Sequence, residues 1–186
     1  MKTIEINIDN YLREVIISKS VRAKYKLNKD GDKVVSNPKS AGKPRYKKIN
    51  GQDLWSGINH NLRSKIAKEL KIFFYEHFRS KKIKIKEKDY PLSIGIVFYG
   101  PIGEFDLDNH SSWYRKCIQD ALCGNVEFEK VIDERGKKSY VPDRKKYPAL
   151  IKDDSVIYVR DIPCSYIESE EYKIKIIIKK IEDVPD

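Results

Sequence analysis

No run of about 18 apolar residues occurs in this 186-residue chain, so its sequence offers no membrane-spanning helix. The opening stretch MKTIEINIDN lacks the apolar segment of a signal peptide and meets a carboxylate at Glu5, so a cytoplasmic protein is expected. Cysteine is scarce. Cys117, Cys123 and Cys164 are an odd, scattered set, which fits a reducing cytosol better than a disulfide framework. No C-x-x-C pair exists, and His60, His77 and His110 are not spaced as ligands, so no zinc site is expected. Internal repeats and low-complexity tracts are absent as well.

What the chain has in excess is positive charge. It carries 38 Lys and Arg against 28 Asp and Glu, a net charge of +10. Such an imbalance points to a polyanionic partner. The length fits one domain at about 150 residues each. Ten of the cations fall within residues 22–50, against Asp30 and Asp32 alone. Glycine, proline, serine and asparagine punctuate that stretch. It reads as a long basic loop or arm, with a small hairpin at Asp30-Gly31. Arg22, Lys24, Lys26, Lys43, Arg45, Lys47 and Lys48 are its candidate DNA-phosphate contacts.

Around this arm the pattern alternates between strand and helix. KTIEINI and REVIISK, residues 2–8 and 13–19, read as strands. Leu54, Ile58, Leu62, Ile66, Leu70 and Phe74 recur every four residues, predicting a helix through about residue 79. Its opposite face carries Arg63, Lys65, Lys68 and Lys71. LSIGIVFY after Pro91 is a strand with Leu92, Ile94, Ile96 and Phe98 on one side. A second helix is expected from Asn109 to Leu122, with Trp113, Cys117, Ile118, Ala121 and Leu122 inward and Gly124 as its stop. Residues 125–150 read as a polar, irregular stretch with a hairpin tip at 134–137. SVIYVRDI (155–162) and EYKIKIIIKKI (171–181) close the chain as strands. The order predicts one α/β (α+β) domain, a mixed sheet packed by two main helices.

In a chain so basic, the stretch EFDLDNHSSWYRKCIQDAL (104–122) and the later KDDSVIYV stand out. Asp106 and Asp108, two apart in an extended segment, would point to one side. Asp120 lies on the helix that follows, and Asp153 and Asp154 begin the next element. Carboxylates that converge repel one another unless a cation joins them. Mg²⁺ and Mn²⁺ take oxygen ligands, one or two carboxylates plus phosphate oxygens. With such an ion bound, the acidic centre attracts a phosphodiester. Each aspartate also has a plain structural reading. Asp108 or Asn109 could cap the helix, Asp120 could pair with Lys116 on its surface, and Asp153-Asp154 could form a turn. An EF-hand counted from Asp106 fails, since Ser111 and Cys117 stand where glycine and glutamate are needed. A phosphatase with an aspartyl nucleophile fits poorly, because His110 stands where a small hydroxyl residue is wanted.

Taken in order, Asp-Leu-Asp-Asn (106–109), Asp-Ala-Leu (120–122) with Gly124, and Asp-Asp (153–154) resemble the RusA-like Holliday junction resolvases. The resemblance covers residues 52–122 and 150–181. It implies a small homodimeric endonuclease that cuts branched DNA symmetrically in recombination or repair, often phage-encoded, with Mg²⁺ or Mn²⁺ as cofactor. By motif, Asp106, Asp108 and Asp154 are the catalytic carboxylates, and Asp106, Asp108, Asp120, Asp153 and Asp154 form the metal-binding set. The family also has a catalytic lysine. Counting back four from Asp120 gives Lys116, and counting from the D-L-D-N end gives Ser112. The chain departs from the family in a helix longer by about one turn and in the segment 123–150, which reads as an insertion. A non-catalytic, structure-selective DNA-binding protein of the same fold, and a flap or single-strand nuclease, are the alternative expectations.

Overall fold

A computed structural model describes residues 3–11, 13–49, 59–101, 107–155 and 157–181. Its centre is a mixed sheet of five strands. β1 (Ile4–Asp9), β6 (Leu92–Gly100), β9 (Val159–Asp161), β10 (Cys164–Glu168) and β11 (Lys173–Lys180) build it. The order is β1-β11-β6-β10, with β9 also paired to β6. β11 runs antiparallel to both its neighbours, whereas β9 and β10 run parallel to β6.

Register explains why one face is so apolar. Ile8, Ile174 and Phe98 lie side by side across three strands, as do Ile6, Ile176 and Ile96. All six are buried. Burial of each such side chain is worth about 1.5–3 kcal/mol over leaving it in water. On the opposite face Lys175 pairs with Glu5 at 2.9 Å.

Helix α1 (His60–Ser80) and helix α2 (Leu107–Leu122) join this core. The four-residue period of α1 buries Ile66, Leu70, Phe74 and Phe78. Asn59 caps its start, its side-chain oxygen accepting the Asn61 N–H at 2.8 Å. The predicted turns of this helix before residue 59 lie outside the described residues. On α2, Tyr114, Cys117, Ile118, Ala121 and Leu122 turn inward, with Trp113 partly buried. The Tyr114 ring meets Tyr11, Phe74 and Phe98 edge-on and ties both helices to the sheet. No helix among the described residues is long and apolar enough to cross a membrane.

Three sequence readings change. The basic stretch is not a plain loop. β3 (Tyr25–Leu27) and β4 (Lys33–Val35) form the hairpin expected at Asp30-Gly31, and β5 (Arg45–Lys48) pairs with β2 (Glu14–Ser18). Residues 125–150 likewise hold a two-stranded ribbon, β7 (Phe128–Ile132) and β8 (Lys138–Pro142), around the expected tip. Finally, α2 begins at Leu107, so Asp108 is helical rather than extended.

The end of α2 fixes the course of the chain beyond it. Gly124 ends the helix at φ +67, and a Cβ there would strike the Tyr147 carbonyl and the Arg144 guanidinium. The Leu122 carbonyl then accepts the N–H groups of Leu150 (2.8 Å) and Ile151 (3.1 Å). Tyr75 donates its hydroxyl to the Pro148 carbonyl at 3.0 Å, and Lys152 N–H donates to the Tyr90 hydroxyl at 2.9 Å. The loop that carries Asp153 and Asp154 is thereby fastened beside the helix end.

Candidate metal centre

The site grows from the last two turns of α2. Lys116 and Asp120 are one turn apart and share a side of the helix. Their ion pair measures 2.9 Å. Asp120 sits next to inward-facing Ala121 and Leu122 and is itself buried. A carboxylate so placed needs compensation. Its second oxygen receives it from Lys71 of α1, at 2.8 Å, and Lys71 is itself largely buried.

The fastened loop brings in the next partners. Lys116 Nζ reaches Asp154 Oδ2 at 3.1 Å. Asp153 Oδ1 accepts the backbone N–H of Asp154 at 2.7 Å. Cys123, one residue past α2, completes the group. Its Sγ and one carboxylate oxygen from each of Asp153 and Asp154 lie within 4.8 Å of one another.

These contacts fix the charge states. Burial pushes the Asp154 pKa up, but the hydrogen bond and charge of Lys116 outweigh it and hold the carboxyl below its usual value. Burial pushes Lys116 down, and Asp120 and Asp154 together carry it above the usual lysine value. The Cys123 thiol is pushed up to about 12, first by burial and then by Asp154, Asp153 and Asp120. By formal charge the described centre gathers two lysines against three aspartates, one negative charge in excess.

The donor set suits a hard divalent cation. Asp153 and Asp154 offer two adjacent carboxylates, enough for Mg²⁺ or Mn²⁺ when water and substrate phosphate fill the other positions. Asp120 is engaged by two ammoniums and is poorly placed to ligate. The protonated Cys123 suits a hard cation poorly as a ligand.

Sequence and structure agree in part on the site. Lys116, Asp120, Asp153 and Asp154 come together, with Lys116 in contact with both Asp120 and Asp154. Asp106 lies outside the described residues. Asp108 lies in the first turn of α2, twelve residues before Asp120. At 1.5 Å per residue that is about 18 Å along the axis. The Asp108 side chain, like Asp106, lies outside what the structure describes, so of the five expected carboxylates Asp120, Asp153 and Asp154 are the ones it places. The same-side argument for Asp106 and Asp108 lapses, because it required an extended chain.

Among the expected DNA contacts, Arg22, Lys24, Lys26, Lys43 and Arg45 are exposed and Lys47 is half-buried. Lys48 lies on β5. Lys71 and Cys123 were not foreseen. Lys71 looks like its neighbours on a polar helix face, and only the packing of α1 on α2 singles it out. Cys123 had no paired cysteine to draw notice, although it directly follows Asp-Ala-Leu.

No family model matches the chain, and a search of curated proteins finds no match. The family likeness therefore rests on the Asp-Leu-Asp-Asn, Asp-Ala-Leu and Asp-Asp motifs.

Proposed function

We propose that the chain is a metal-dependent endodeoxyribonuclease that cuts branched DNA, four-way junctions foremost, in recombination or repair. One observation carries the reading. Lys116 touches Asp120 on its own helix and Asp154, 38 residues further on. The Asp-Ala-Leu aspartate, the lysine one turn before it and the second member of Asp-Asp thus meet at one point. Those are positions the resemblance singles out.

In this reading Asp153 and Asp154 hold Mg²⁺ or Mn²⁺, which when bound activates water and stabilises the leaving oxygen. Lys116 presents its ammonium to the charge that builds on the phosphate. Asp120 orients that lysine, and Lys71 offsets the charge of Asp120 beside the core. Asp106 and Asp108 are further carboxylate candidates from the Asp-Leu-Asp-Asn motif. The basic segment holds phosphates away from the centre, by shape rather than by base reading. Symmetric cuts need two centres, so a homodimer belongs to the proposal.

A second reading, a non-catalytic DNA-binding protein, is favoured by the same lysines. Lys71 and Lys116 already offset two of the three carboxylate charges.

Cleavage of a synthetic four-way junction, a flap, a duplex and a single strand in Mg²⁺, Mn²⁺ and EDTA at one salt concentration tests the proposal. Paired junction nicks that need the metal and vanish in Asp154→Asn and Asp106→Asn are expected. Cutting of flaps or single strands alone overturns the substrate. Tight junction binding without nicks in any ion gives the non-catalytic reading.

A further inference from the structure

The basic segment holds a cleft that shares no residue with the acidic centre. Its volume is about 570 Å³, and its walls include Lys24, Lys39, Lys43, Arg45, Ser40 and Tyr46. We propose that this cleft is a phosphodiester grip, a site that seats the backbone of one nucleic-acid strand without any metal ion. It rests on the nucleic-acid reading above for the identity of its ligand.

The cleft is built before any ligand arrives. Asn37 is its keystone. The Asn37 side-chain oxygen accepts the Lys24 N–H at 2.7 Å, and its amide donates to the Arg22 carbonyl at 3.2 Å. Its backbone carbonyl accepts from Ala41 at 2.9 Å and Ser40 at 3.1 Å. Val21 N–H donates to the Lys43 carbonyl, and Gly42 N–H to the Val21 carbonyl, both at 2.9 Å. Gly42 has φ +76, a conformation that glycine adopts without strain. The two halves of the segment are thus stitched together, and a ligand need not order them.

Chemistry names the ligand. Four cations line the cleft and no carboxylate does. Among the described residues none of Lys24, Lys39, Lys43 and Arg45 has an ion-pair partner, in contrast to Lys71 and Lys116. Like charges gathered on one cleft repel, and an anion relieves them. Three of the four are lysines, point charges suited to phosphate rather than to reading bases. The volume lies within the about 300–1,000 Å³ of small-molecule sites, room for a nucleotide unit rather than one bare phosphate. Tyr46 is 55% exposed and offers a ring on which a base can stack.

The test is fluorescence anisotropy of labelled oligothymidylate in EDTA across a salt series. The variants Lys43→Glu/Arg45→Glu change exposed side chains, and circular dichroism checks their fold. Affinity is expected to fall about tenfold or more, and the magnitude of the log K against log salt slope by about 1.4, two phosphates on a single strand. Tyr46→Ala is expected to weaken binding with the slope unchanged. An unchanged affinity and slope in the double charge reversal would overturn the grip. Polyglutamate or inorganic pyrophosphate that displaces the strand as well as unlabelled oligothymidylate does would instead assign the cleft to an acidic protein surface or a free phosphate. Because no metal is present, a failure of the cleavage proposal leaves this result standing. Intact cleavage with an unaltered salt slope would remove the grip alone.

Discussion

Lys71 and Lys116 hold the same carboxylate, yet they differ in burial, with side chains 15% and 56% exposed. That difference separates their roles. Removing Lys71 as Lys71→Met strips Asp120 of its buried partner. It is expected to cost about 1.5–3 kcal/mol, the range for hydrogen bonds to charged groups, or roughly 3–12 °C in Tm at this chain length. Removing the exposed Lys116 as Lys116→Ala is expected to cost about 1 kcal/mol or less and to remove cleavage. Thermal melts and junction nicking of both variants check the split. Equal losses in both measurements would leave Lys116 a surface ion-pair residue only. A second prediction concerns acid. Glu127 pairs with Lys68 and Lys146, each at 2.8 Å. The hydrogen bonds from Lys146 and Lys68 hold its carboxyl below the usual glutamate value. A lowered folded-state pKa stabilises above the unfolded value and is lost as pH falls through the folded one. Wild type should therefore melt above Glu127→Gln at neutral pH, and the gap should close in acid below the usual glutamate pKa. A gap independent of pH would contradict this.

At the scale of elements, the junction between α2 and the Asp153-Asp154 loop decides the site. Gly124 holds a positive φ against two close neighbours, and the Leu122 carbonyl just before it anchors the loop. Gly124→Ala is expected to cost more than about 1 kcal/mol. It should also displace Cys123 and loosen Asp154 from Lys116. Differential scanning calorimetry checks the stability, and junction nicking checks the site. A variant that melts and cuts like the parent would sink this assignment. The elements differ in how legible they are in the sequence. The four-residue period of Ile66, Leu70 and Phe74 and the alternation of Ile174, Ile176 and Ile178 mark α1 and β11, because each buries one face. β7 and β8 escape notice because they bury almost nothing, so no alternation of apolar and polar residues marks them. β5 is hidden among cations for the same reason. The start of α2 is easily misjudged because Asp106 and Asp108 read as an extended pair, whereas the helix runs from Leu107.

In the whole molecule, which carries a net charge of +10, two charge clusters stand apart. In the acidic centre the cations Lys71 and Lys116 are bound to carboxylates. In the cleft Lys24, Lys39, Lys43 and Arg45 face outward on a stitched scaffold. The sequence displays both clusters, but it cannot say which lysine answers which aspartate. Asp120, Asp153 and Asp154 are legible because Asp-Ala-Leu and Asp-Asp are compact motifs. Lys71 is not, because its partner comes from another helix. The separation of Asp108 from Asp120 follows from helix geometry once the start of α2 is known. The central claim is that Asp153 and Asp154 hold a divalent cation. Mn²⁺ binding to the full chain, followed by electron paramagnetic resonance and repeated with the Asp153→Asn/Asp154→Asn variant, tests it most directly. Saturable binding by the parent that is lost in the variant is the predicted result. No binding, or binding that the variant retains in full, would contradict it.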